Sequence, residues 1–197
     1  MLYVVKTPNT KGGWTWQIGE VALASSYVTG TSEPGLFSFS ISGVHRQGAE
    51  LFSTHARAEA LLQKHLGCDV AFGEQVVAQS IVIARQDRWI KLRSDDPPER
   101  EQDDYSYYIG NVLLASLSNI KSIRLNGYHL YLPLAAKAST TKVQSIAEGE
   151  QALAQALGCA VTIQRRMVRY AVGPNHLPCA ADGFACRPTL YDGSPAW

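Results

Sequence analysis

One shift of 91 positions lays this chain over itself in two separate places. Trp14-Thr-Trp-Gln-Ile-Gly-Glu-Val-Ala-Leu-Ala-Ser25 aligns without a gap on Tyr105-Ser-Tyr-Tyr-Ile-Gly-Asn-Val-Leu-Leu-Ala-Ser116, and the same shift carries Leu66-Gly-Cys-Asp-Val70 onto Leu157-Gly-Cys-Ala-Val161. Two matched segments at one spacing constrain the chain to two similar units in tandem, with the same elements in the same order.

The first unit is expected to open on strands. Trp14, Trp16 and Ile18 alternate with Thr15, Gln17 and Gly19, and Phe37, Phe39 and Ile41 alternate with Ser38, Ser40 and Ser42. This period of two marks half-buried strands. The intervening segment 29–35 supplies Gly and Pro for a turn, so the two strands should be antiparallel neighbours. Leu51-Phe52 predicts a third. A helix follows with Thr54 as N-cap, Ala58, Leu61, Leu62 and Leu66 on one stripe, and Gly67 ending it. In the second unit Ser145 and Glu148 form a capping box, Leu153, Ala156 and Leu157 continue the stripe, and Gly158 stops the helix. Strands over 68–72 and 159–163 then close the two units.

The fold class is therefore α+β: two tandem pseudo-repeats, each a small antiparallel sheet of three to five strands with one helix on one face. The units are expected at 1–86 and 87–172. An irregular Gly/Pro-rich tail, 173–197, should pack on the body. Tyr3-Val-Val-Lys6 finds its counterpart in Ile90-Lys-Leu-Arg93, with strands expected over 79–84 and 88–93. Trp14, Trp16, Phe37 and Phe39, with Tyr105, Tyr107, Tyr128 and Leu130, share faces with isoleucine and leucine and are read as core.

Composition narrows the function classes. With 46% hydrophobic and 18% charged residues the chain is an ordinary globular one. No apolar run approaches the roughly 18 residues of a membrane span, and the start lacks a signal peptide's pattern. A cytoplasmic protein with reduced cysteines is expected, with no membrane partner. Formal charge is +1, but segment 94–104 holds six acidic residues and one Arg. The rest of the chain is thus net basic, a hint of an anionic partner. The acidic run, with Asp95, Asp96, Asp103 and Asp104, is read as a lengthened loop inside the second unit.

The faces away from the helices distinguish the units. In the first this face carries Thr15, Gln17, Ser38, Ser40 and Ser42, as suits an open hydrated sheet; in the second, Ser106, Tyr108, His129, Tyr131 and Pro133. Tyr108, His129 and Tyr131 could stack on bases. Lys121, Arg124, Arg165, Arg166 and Arg169 could contact phosphates. The leading expectation is a non-enzymatic binding protein for nucleic acid or a nucleic-acid-handling protein complex. The alternative is a protein-protein interaction or inhibitor module acting through the aromatic face or acidic loop, and an oligomer would also fit such a face. An enzyme comes third, drawing on His129 and Tyr131.

Three strands, a Phe-x-Thr or Val-x-Ser step and a short helix loosely resemble the three-stranded DNA-binding domains of plant AP2 factors and phage integrase arms. Phe52-Ser-Thr54 with Ala58 and Ala60, and Val143-Gln-Ser145 with Ala152, carry the resemblance. The strands lack those domains' run of basic and aromatic base-reading residues. No P-loop, dinucleotide fingerprint, nucleophile elbow or H-E-x-x-H motif occurs, and no cofactor is implied. Cys68 and Cys159 read as small buried cysteines. His176, Cys179 and Cys186 are weak zinc candidates, short of a fourth ligand and of the usual cysteine spacing.

Overall fold

The computed structural model describes residues 1–28, 35–44, 50–90, 102–120, 126–169 and 189–190. The protein is α+β, built of two sheet-plus-helix halves. In the first, β1 (Leu2–Pro8), β2 (Trp14–Ile18), β3 (Val21–Val28), β4 (Phe37–Ile41) and β5 (Glu50–Phe52) form an antiparallel meander. Helix α1 (His55–Leu66) then crosses back, so that β6 (Val70–Gly73) lies parallel to β1. The second half repeats this order with β7 (Ser80–Ile90), β8 (Gln102–Ile109), β9 (Val112–Asn119), β10 (Tyr128–Leu132), β11 (Ser139–Val143), α2 (Ile146–Leu157) and β12 (Ala160–Arg169). From the tail, β13 (Thr189–Leu190) pairs with Val168 and Arg169.

Among the described residues the sheets hold six and seven strands, more than the expected three to five, and the parallel pairing of β6 on β1 and of β12 on β7 makes each sheet mixed and not antiparallel throughout. β3 and β9 follow directly on the hairpin turns at Gly19 and Gly110, and their mixed sequences, Val-Ala-Leu-Ala-Ser-Ser and Val-Leu-Leu-Ala-Ser-Leu, hide the period of two. A bulge explains part of this. Pairing slips between Trp16 and Gln17, and again between Tyr107 and Tyr108, so Leu23 and Ala24 are both buried, as are Leu114 and Ala115. The strand expected at 79–84 and the described part of the one expected at 88–93 form a single strand, β7, in the second sheet, with residues 91–93 outside the described residues. Strand pairing also corrects the partner of Tyr3–Lys6. Val5 sits opposite Gln17 and Ala84 opposite Tyr108, so Lys6 corresponds to Arg85, and the second unit's extra length is shared between longer β7 and β8 strands and the segment that joins them.

Both helices end as expected, with Gly67 and Gly158 left-handed. Their starts differ. Ser145 Oγ accepts from Glu148 N at 3.1 Å, and the Glu148 carboxylate reaches back to Gln144 N at 2.6 Å. Thr54 makes no side-chain cap. Replacing Ser145 by Ala should therefore cost about 1 kcal/mol, whereas Thr54→Ala should cost less than half of that by urea denaturation.

One core joins the halves. Leu62 and Leu66 from α1, Leu153 and Leu157 from α2, and Trp16, Tyr107, Leu23, Leu114, Leu117 and Leu130 from the sheets belong to a single buried cluster. Each hairpin turn also grips the other half's helix. Glu20 N donates to Ala156 O at 2.7 Å and Asn111 N to His65 O at 2.9 Å, while Ala22 N donates to Pro133 O and Leu113 N to Ser42 O. Within each of these two pairs of bonds, one maps onto the other at the offset of 91 positions, with the halves exchanged. The helix-end carbonyls, which no intrahelical N–H can reach, thus find donors across the junction.

A second matched feature ties each helix to its own sheet. Lys6 Nζ and Trp16 Nε1 both meet Glu59 Oε1 at 3.1 Å; Arg85 and the Tyr107 hydroxyl both meet Glu150 Oε1, at 2.8 and 3.2 Å. Lys6 lies over the Trp14 ring and Arg85 over the Tyr105 ring. Of the helix-facing aromatics, Trp16, Phe37, Phe39 and Tyr107 are buried in the core and Trp14, Tyr105 and Tyr128 pack half-buried against it; Trp16 and Tyr107 also carry the polar handle that holds the helix carboxylate.

Candidate nucleic-acid interface

Buried Leu130 and Leu132 turn His129 and Tyr131 of β10 to the opposite face, where both are exposed. They are neighbours on that face, about 6.8 Å apart at strand rise. Tyr108 follows the buried Tyr107 and lies on this same outer face, half-buried, paired with Ala84 and Leu113. It stands two strands away and one same-face step along, roughly 12 Å from Tyr131 by sheet spacing.

Register fixes what surrounds the rings. One row runs Arg166, Gln86, Ser106, Ser116, Tyr131, Thr140 across six strands; the next runs Val168, Arg88, Asp104, Ser118, His129, Lys142. Lys142 is exposed directly beside His129. Sequence reading missed it because β11, Ser-Thr-Thr-Lys-Val, has only one buried residue and so no alternation to reveal a strand. The face is accordingly hydroxyl-rich, with two exposed rings and a flanking ammonium. Ser106 and Pro133 are buried in it, not open.

The expected basic set is only partly assembled. Arg165 is exposed but pairs with Arg85, a residue of the helix-covered side, so it does not accompany the rings. For Arg166 and Arg169 the structure describes the backbone in β12, opposite Gln86 and Trp89. Lys121 and Arg124 lie outside the described residues, as do Asp95, Asp96, His176, Cys179 and Cys186. Asp103 and Asp104 are not in a loop: β8 begins at Gln102, and they pair with Trp89 and Arg88. Asp104 Oδ1 accepts from Asn119 N at 3.2 Å, which places a carboxylate in the row of His129.

The first sheet's outer face is less plain than its serines suggested. Thr15 and Ser38 are buried, and Tyr27 and Leu51, paired on either side of Ser38, are exposed, as is Tyr3. Outward-facing aromatics therefore occur on both sheets; what distinguishes the second is two of them adjacent on one strand with a cation beside them.

Among the described residues no three His, Cys, Asp or Glu side chains converge as a metal site, and no helix is long and apolar enough to cross a membrane. Cys68 is exposed and Cys159 half-buried, which corrects the expectation of two buried thiols. The burial each does have pushes its thiol above the ordinary value, away from the reactive thiolate. No family model, curated protein or solved structure matches the chain.

Proposed function

We propose that the chain is a binding protein for single-stranded nucleic acid and that the ligand lies on the outer face of the second sheet. The observation that carries this reading is the exposed pair His129 and Tyr131 on β10 with Lys142 across from His129. Rings on a sheet surface take unstacked bases, and a nearby ammonium takes phosphate. The spacing of the two rings is sufficient for each to take its own base. Sheet width favours a single strand, because seven strands at about 4.8 Å each span far more than a major groove about 12 Å wide. Hydroxyls of Ser116, Ser118 and Thr140, on the flanking strands in the rows of the two rings, could add bonds to sugar or phosphate. The repeat relation between the halves belongs to the same proposal: we read them as copies of one ancestral unit, of which the second has taken the ligand.

Fluorescence anisotropy with short labelled oligonucleotides tests the reading. Single strands should bind more tightly than duplex, with affinity falling steeply as salt rises. Tyr131→Ala or His129→Ala should each weaken binding about fivefold to a hundredfold, the value of one stacked base. Lys142→Ala should lower the salt slope by about 1. Absence of binding at low salt, or binding indifferent to all three substitutions, would remove this function.

A further inference from the structure

We propose that His55 is an acid-sensitive latch: neutral, it pins the first turn of α1 to the aromatic wall of the first sheet; protonated, it releases that turn while α2 stays closed. The two helix starts are held by different means. α2 has its Ser145–Glu148 box, and Ile146 occupies the place matching His55. α1 has neither a side-chain cap nor an acidic residue in its first turn. What it has is the His55 ring, 5.0 Å from Phe37, 5.8 Å from Trp14 and 6.2 Å from Trp16 between centroids.

Among the described residues, Glu59 is the one charge beside the ring that favours a proton on it. Lys6, from β1, already lies 4.9 Å over Trp14 and 5.6 Å over Trp16, so an imidazolium would be a second cation on the same rings. The N-terminal end of α1 is the positive pole of its macrodipole. Glu59, on α1 itself, attracts a proton to His55, but it is engaged by Lys6 Nζ and Trp16 Nε1. The strands that supply Trp14, Trp16 and Phe37 bring no charged group to the ring. Burial and then Lys6 hold the imidazole below its ordinary 6.5. Because the open form then binds the proton more tightly than the closed form, the stability that His55 contributes is complete above about 6.5 and is lost as pH falls through the lower, folded value.

Hydrogen exchange of the full chain, corrected for intrinsic pH dependence, reads the latch directly. Between pH 7.5 and pH 5, peptides covering 54–62 should lose protection several-fold, while peptides covering 145–153 should not change. His55→Phe should keep α1 protected at both pH values. The His55 ring resonances should titrate below 6.5, together with the loss of protection. The proposal fails if 54–62 stays protected at pH 5, if His55 titrates at or above 6.5, or if His55→Phe opens to the same extent as the natural chain. The exchange and resonance measurements on the natural chain decide the matter even if that variant does not fold.

Discussion

Gly110→Val is expected to destabilise the whole protein by about 4 kcal/mol or more, which at this size lowers the melting temperature by roughly 10 °C or more. Gly110 has φ +56°, and a Cβ there would lie 2.3 Å from His65 O and 2.6 Å from Leu66 O. Those are backbone atoms at the end of a helix, and no rotamer change can move them aside. The same substitution at Gly19 meets Ala156 O at 2.4 Å and Leu157 O at 2.5 Å, again in the opposite half. Gly67→Ala separates conformation from collision. Its φ is +67° but nothing lies within 4 Å of the added carbon, so it should cost only about 1 kcal/mol. The clash falls on the junction and the core is continuous, so both halves should melt in one transition by far- and near-ultraviolet circular dichroism. Two resolved transitions, or a Gly110→Val variant no weaker than Gly67→Ala, would contradict the interlocked junction.

Arg85→Leu is expected to cost about 3 kcal/mol, the lower end of the range for breaking a buried ion pair. The guanidinium is buried beneath α2, donating to both oxygens of Asp87 at 2.6 and 2.9 Å and to Glu150 at 2.8 Å. Removal would strand two carboxylates against Tyr107. Burial, and after it the Glu150 charge, pushes that hydroxyl well above the ordinary phenol range. Both carboxylates keep some solvent, which is why the lower end of the range is chosen. Lys6→Leu in the matched position should cost about 1 kcal/mol, because Lys6 has one carboxylate partner among the described residues and is more exposed. Arg85→Lys should recover little, since a single ammonium cannot form the fork to Asp87. Chemical denaturation of these variants, with Glu150→Gln completing a double-mutant cycle, measures the coupling. A coupling near zero would show that the cluster contributes nothing beyond packing.

Much of the fold could be read along the chain because local patterns report local structure. The α1 and α2 stripes, their terminal glycines and the Ser145–Glu148 box follow from periods and caps within a dozen residues, and the structure reproduces them. β10 was legible because His129 and Tyr131 alternate with buried Leu130 and Leu132. Strands without alternation were not. β11 exposes nearly all its residues, and β7 reads as two pieces although hydrogen bonding makes it one. Among the candidate site residues, Tyr108, His129 and Tyr131 do share a face, whereas Arg165 falls on the other and Asp104 intrudes. Strand register decides such groupings, and register depends on partners distant in sequence.

By itself, the sequence determined that the chain would form two similar sheet-and-helix halves, because the period of each element and the 91-position match are properties of neighbouring residues and of simple spacing. Tertiary structure alone decided that Lys6 answers to Arg85, that each helix carboxylate closes on a cation and a ring, and that Gly19 and Gly110 sit against the opposite half's helix. The physical reason is that hydrogen bonds and buried charges are satisfied by whatever group packing brings within about 3 Å. No local pattern records which group that will be.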